Sequence, residues 1–242
     1  MATTTQETIS KARLRRMGKR QRANRHSNTT ERHEPAAAVK KLREFKPPKF
    51  DQTVEVCFHL GIDPKQADQA IRGSVALPAG IGQSKRVIAF CPPETVQSAL
   101  DAGAVKAGGE DLVAEINKGW TEFDVAIADP QMMRVVSPLG RVLGPKGLMP
   151  SPKAGTVTKD VAQAVTEYAA GKVEYRNDKT GNVHAPVGKW SFSDADLTKN
   201  LTHMIGVIEK ARPSSVKGHY IKKIAISGTM TPSVLVAHAS GE

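Results

Sequence analysis

Apolar and polar residues alternate with a period of two through FDQTVEVCFHLGI, residues 50–62, which puts Val54, Val56 and Phe58 on one side of a predicted strand. YIKKIAIS, residues 220–227, alternates in the same way. IRGSVALPAGIG, residues 71–82, reads as a strand that closes on a Pro-Gly-Gly link. Beyond that link the pattern changes. SKRVIAFC and FDVAIADP are short, continuously apolar runs of the kind buried on both faces. Helical periods separate them over residues 94–102, stopped by Gly103, and over 110–118. Strand, helix and strand in this order predict βαβ units and a parallel sheet.

A further helix is expected over residues 159–170, with Thr158 as N-cap and Gly171 at its end. KVEYRNDKTGNVHAPVG, residues 172–188, reads as a hairpin turning at Asp-Lys-Thr-Gly-Asn. Ser193 then caps a helix in which Leu197, Leu201, Ile205 and Ile208 recur at helical spacing before Pro213. Near the start of the chain, residues 36–45 form a short amphipathic helix, with Val39 and Leu42 opposite Lys40, Lys41 and Arg43, ended by Pro47 and Pro48. The strand-rich style of the first part therefore returns after Gly171. This predicts an α/β chain of two domains, one built from residues 35–80 plus 172–242 and the other, 81–171, inserted into it. Residues 1–34 show no sustained apolar periodicity and read as a basic flexible arm, helical only under some conditions.

Charge sharpens this division. The formal net charge is +11, yet residues 1–50 contain 14 Lys and Arg against 4 Asp and Glu, and the remainder is nearly balanced. Such a basic head suits nucleic-acid phosphates, with steep salt dependence; a solvated tail or an organellar presequence is the alternative. No run reaches the roughly 18 apolar residues of a membrane span, and no apolar segment follows Arg15 and Arg16, so neither a membrane partner nor an export signal is expected. Cys57 and Cys91 are too few for a disulfide framework or a four-ligand zinc site. A reducing compartment fits.

The most conspicuous loop, residues 144–155, holds three glycines, three prolines and two lysines. It fails as a Walker loop: after the four residues that follow Gly144 comes Met149 instead of glycine, and Lys153 precedes Ala154. Gly80 and Gly82 do not extend to a dinucleotide fingerprint either. The seven histidines are scattered, and the acidic pairs Glu110-Asp111 and Asp194-Asp196 sit in first helical turns, where the macrodipole explains them. No reaction centre, metal site or cofactor is expected, so an enzyme acting on phosphorylated substrates at the Gly-Pro-Lys loop is the weaker alternative. Pro145, Pro150 and Pro152 predict a stiff, non-helical ledge, and Lys146 and Lys153 give it charge. A ledge of this kind suits a phosphodiester backbone or a protein surface, or is a plain rigid connector.

LGPKGLMPSPKAGTVT, followed by YRNDKTGNVHAPVGKWSF, closely resembles the L-one family of bacterial large-subunit ribosomal proteins, which build the mobile side stalk near the tRNA exit site. The likeness continues in KFDQTVEVCFHLGIDPKQADQAIRGSVALP and KGHYIKKIAISGTM and spans roughly residues 36–240. It implies a discontinuous α+β domain of split β-α-β type, an inserted Rossmann-like αβα domain, and a two-strand hinge between them. By the same resemblance the terminal domain holds a folded segment of large-subunit ribosomal RNA, and the protein assists release of deacylated exit-site tRNA. Repression through its own messenger RNA is known in some members. The chain is then expected as a monomer within the ribosome, in the cytoplasm or an organelle. The RNA face carried over is Lys49, Phe50, Thr53, Arg176, Asp178, Lys179, His184, Thr229 and Met230. Lys146 and Lys153 are additional RNA or tRNA contacts, and Gly80, Gly82 and Gly171 are the expected hinge positions. Arg176 and Lys179 can meet phosphates, and the threonine hydroxyls can meet 2′-hydroxyls. Two positions depart from the family's pattern: Thr231 stands where glycine is usual, and Gln66 where many relatives carry a basic residue.

Overall fold

The computed structural model describes residues 17–28 and 30–238. Lys11, Arg13, Arg15 and Arg16, four of the nine Lys and Arg in the stretch read as a basic arm, lie outside the described residues. The chain divides into two compact units: residues up to Ile71 together with those from Asn177 onward, and Arg72–Arg176.

In the first unit a five-stranded sheet has the order β1-β10-β9-β2-β8, comprising β1 (Arg32–His33), β2 (Thr53–Leu60), β8 (Asn182–Lys189), β9 (Ile221–Gly228) and β10 (Val234–Val236). All neighbours are antiparallel except β1 and β10. The alternation read in the sequence sets the faces. Val54, Val56 and Phe58 are fully buried, as are Val183, Val187 and Ile226 on the neighbouring strands. Against that side pack α2 (Pro35–Arg43), through Ala38, Val39 and Leu42, and α8 (Asp194–Lys210), through Leu197, Leu201, Met204 and Ile208. Ser193 caps α8 as expected, its hydroxyl accepting from the Asp196 amide at 3.1 Å. The opposite face carries no helix among the described residues. A further helix, α1 (Lys19–His26), lies within the stretch read as a flexible arm. It is tied down by Asn24, 2% exposed, whose carboxamide accepts from the Lys46 amide at 2.9 Å and donates to the Lys46 carbonyl at 3.0 Å.

The second unit holds a parallel sheet of order β5-β4-β6, formed by β4 (Val87–Phe90), β5 (Lys106–Gly108) and β6 (Val125–Ala128). Its apolar strands are buried on both faces, as parallel strands require. Val87 and Ala89 pack on α3 (Val96–Asp101) and α7 (Val161–Ala169), while Ile88 and Phe90 face α4 (Glu110–Asn117), α5 (Met133–Val136) and α6 (Gly140–Lys146). A separate antiparallel pair, β3 (Arg72–Val75) with β7 (Val173–Arg176), stands where the chain enters and leaves this unit.

Three local expectations are corrected. Residues 172–188 are not a hairpin: β7 pairs with β3 and β8 pairs with β2, leaving only an isolated bridge between Asn177 and Val183. Both strands find better partners elsewhere, and Asp178 bends the chain between them. The Gly-Pro-Lys loop is not wholly non-helical, because α6 runs through Gly144 and Pro145 to Lys146. Proline near a helix end forfeits little, and its fixed φ suits the turn. Gly147, at φ 71°, then closes the helix: its amide donates to the Gly144 carbonyl and the Leu148 amide to the Leu143 carbonyl, both at 3.0 Å, a Schellman ending. Finally, α7 starts two residues later than expected, and Thr158 accepts from the Asp160 amide outside the helix instead of capping it.

Candidate nucleic-acid interface

The uncovered face of the five-stranded sheet is the surface on which most of the predicted residues meet. Outward positions of β2 are Thr53, Glu55, Cys57 and His59. Register brings Cys57 opposite His184 on one side and Ala225 on the other, and His59 opposite Asn182 and Lys223. The Cys57 Sγ lies 3.9 Å from His184 Nε2. Burial pushes the Cys57 thiol up, the Asp178 charge adds to this, and Lys223 opposes it. The thiol therefore stays protonated at neutral pH and is no nucleophile. A cavity of about 200 Å³ opens on this unit beside His219, Tyr220 and His238.

One end of the face is built by the turn after β9. The Thr229 amide donates to the Thr53 carbonyl at 3.1 Å, and the Thr53 amide donates to Thr229 Oγ1 at 3.2 Å. Lys189 Nζ donates to Thr53 Oγ1 at 3.0 Å. Beneath the turn, fully buried Gln52 accepts from the Met230 amide at 3.0 Å through Oε1. Thr231, at the position where the family usually has glycine, accepts from the Gly228 amide at 2.9 Å. Its hydroxyl thus fastens the turn that carries Thr229 and Met230. Met230 and Phe50 are 54% and 50% exposed, which excludes the core packing their side chains would otherwise suggest. Lys49 is exposed beside Phe50.

The loop before β8 is held by Asp178. Its Oδ1 accepts from the Thr180 amide at 2.8 Å and the Asn182 amide at 2.7 Å, and both carboxylate oxygens accept from the Thr180 hydroxyl at 2.8 Å. Burial alone would raise this carboxyl; the bonds from Asn182 and Thr180 outweigh it and hold it at about 2. Asn182 relays the order onward, accepting from His59 Nδ1 at 2.7 Å. Asp178 is therefore committed to the turn, and Lys179 and His184 are exposed along the same edge.

The remaining predicted residues lie in the other unit. Arg176 ends β7 and is exposed. Lys146 and Lys153 are both exposed, Lys146 donating to Thr121 Oγ1 at 2.9 Å. Gly80, Gly82 and Gly171 all have positive φ, and a Cβ on Gly171 would come within 2.7 Å of Ile81 Cγ1. The chain crosses between the units at Ile71–Arg72 and Arg176–Asn177, outside these glycines. Glu55, His59, Asn182, Lys189 and Lys223 join the same face, and Gln52 supports its turn from beneath, without having been singled out from sequence. The alternation of β2 already marks Glu55 and His59 as outward, but Lys189 and Lys223 are identified only by strand register.

A sheet face backed by two helices and rimmed by turn-borne donors has room for an extended macromolecular partner. Comparison with known proteins supplies the family. Residues 42–232 match the model of the ribosomal protein L1p/L10e family. Over 202 residues the chain is 52% identical to the large ribosomal subunit protein uL1 of Persephonella marina, covering 83% of this chain and 84% of that one. The chain belongs to the ribosomal protein L1p/L10e family, whose members are structural and not enzymes.

Proposed function

We propose that this chain, a structural protein of the large ribosomal subunit, captures a folded segment of large-subunit ribosomal RNA on the open face of its five-stranded sheet. The observation that carries this reading is the Thr53–Thr229 clamp, which fixes hydroxyls, backbone donors and the exposed Met230 at one end of an uncovered face. Lys49, Lys179, Lys189 and Lys223 supply positive charge around it, and His184 adds a ring donor or acceptor. With aromatic residues at only 5% of the chain, recognition rests on shape and 2′-hydroxyl contacts instead of extended base stacking. Arg176, exposed at the end of β7 in the other unit, is read as an RNA contact by the resemblance alone.

In this reading the inserted unit reaches exit-site tRNA through Lys146 and Lys153 and moves as deacylated tRNA departs. Support for the motion is the double crossing at Ile71–Arg72 and Arg176–Asn177, which joins it to the rest of the chain. The positive-φ glycines Gly80, Gly82 and Gly171 flank these crossings inside the inserted unit.

The test is binding of the full chain to the isolated stalk segment of large-subunit RNA, with a scrambled hairpin as control, across a salt series. Tight binding that persists at physiological salt and prefers the stalk RNA is expected. Equal binding to both RNAs, collapsing with salt, would leave only unspecific charge attraction and sink the reading.

A further inference from the structure

Strict alternation misplaces one residue of β9. Ile224 and Ile226 are buried, so a period of two continued back along the strand would send the Lys222 side chain into the core. The ladder with β2 prevents this. His59 stands opposite Lys223 and Leu60 opposite Ile221, which leaves Lys222 as the extra residue of a β-bulge. Ile221 takes the inward place at 8% exposed, while Lys222 and Lys223 are both exposed. A bulge re-aims side chains, and this one keeps two successive lysines at the surface.

Register brings a third cation to them. Arg32, on the edge strand β1, stands opposite Leu235, Leu235 opposite Ala225, and Ala225 opposite Cys57. Arg32 therefore belongs to the same face as Cys57 and His184, at the far side of the sheet from β8. It is exposed, and it lines one shallow groove with Lys222, Lys223, Ile221, Val236 and His238. Among the described residues no carboxylate pairs with any of the three cations. Glu209 Oε1 lies 3.2 Å from His238 Nε2 instead. Like charges gathered around one groove repel each other, and an anion from outside the chain would relieve that.

The size of the groove narrows the choice of anion. Its volume of about 20 Å³ holds roughly one water-sized oxygen, so a phosphate oxygen fits and a base ring does not. The cations stand at the opposite end of β9 from the Thr53–Thr229 clamp. Lys223 and Thr229 are six positions apart, roughly 20 Å along a strand. A single nucleotide does not span both places; an RNA segment does.

We propose that Arg32, Lys222 and Lys223 hold one backbone phosphate of the RNA captured on this face, as a second anchor remote from Met230. The inference rests on the RNA-capture reading above and extends its footprint to the edge strand β1. One phosphate oxygen seats in the groove, and the three cations share its charge. The RNA then lies along the length of β9 and not on the Met230 turn alone.

The experiment compares the full-length parent with R32Q, K222Q, K223Q and the triple variant. Each is titrated with stalk RNA and the scrambled hairpin over a salt series, with thermal unfolding as a check on folding. K199Q is the control, because Lys199 is an exposed cation of α8, on the covered side of the sheet and outside the basic head of the chain. The triple variant should lose about tenfold in affinity for stalk RNA, with the salt slope lower by about one, as a single phosphate contact requires. Each single variant should show part of that loss, and K199Q should stay within about twofold of the parent. Ethylating the RNA phosphates gives a direct reading: one ethylated position should weaken binding to the parent and leave binding to the triple variant unchanged. If the triple variant binds like K199Q, or if parent and triple variant give the same ethylation pattern, the anchor fails while RNA capture stands. A parent that does not distinguish the stalk RNA from the scrambled hairpin overturns both.

Discussion

Thr53 and Thr229 bond each other reciprocally: the Thr229 amide reaches the Thr53 carbonyl at 3.1 Å, and Thr229 Oγ1 receives the Thr53 amide at 3.2 Å. The pair joins the first residue of β2 to the turn after β9, 176 positions away in the chain. T229V keeps the shape but leaves the Thr53 amide without its acceptor. A loss of about 1 kcal/mol in folding stability is expected, read by chemical denaturation. Affinity for stalk RNA should fall along with it, because the hydroxyl and the turn geometry go together. Unchanged stability would show that water replaces the hydroxyl at no cost.

Asn24 holds α1 through both hydrogen bonds to Lys46. N24A should cost about 1–2 kcal/mol and release the Lys46 amide to hydrogen exchange. Faster exchange confined to Lys46 and α1 is the expected pattern. Protection at Lys46 equal to that in the parent would mean that the helix is held by other contacts.

Asp178 is held at about 2 in the folded chain, against an ordinary value of 3.8. A folded value below the unfolded one means that the ionised carboxylate adds stability above about pH 4, and that this contribution is lost as pH falls through about 2. D178A should therefore flatten the decline in stability over that window and loosen the Thr180–Asn182 turn at neutral pH. A parent and variant with parallel stability curves between pH 4 and 2 would contradict this.

Gly171 has φ 101°, and a Cβ added there would stand 2.7 Å from Ile81 Cγ1. G171A should destabilise the inserted unit by about 1–3 kcal/mol. Adding I81A should recover only part of that, since it removes the clash and leaves the backbone strain. Complete rescue by I81A would assign the whole cost to packing.

Much of the fold was legible in advance where a period announces itself. The alternation in β2 and β9, the Ser193-capped helix and the doubly buried runs of β4 and β6 all follow from side-chain spacing. The misreadings share a different origin. Residues 172–188 have good hairpin chemistry, but β7 and β8 pair with β3 and β2, over 90 residues away in sequence. Pro145 reads locally as a breaker, yet it sits close enough to the end of α6 for the helix to keep it. Both outcomes depend on which partner surface wins, and no short window contains that information.

For the candidate interface the same boundary holds. Local spacing by itself determined which residues of β2 face out, that the basic charge gathers at the head of the chain, and that nucleotide-pocket spacing is missing. Long motifs carried the family resemblance. Only the tertiary structure decided that Gln52 supports Met230 from below, that Lys189 and Lys223 reach the same face as Thr53 and His59, and that Asn24 docks a basic helix beside the turn. These contacts join residues from 22 to 178 positions apart. Period and propensity act over a few residues; sheet register and buried hydrogen-bond satisfaction act across the whole folded unit, so only folding brings those side chains together.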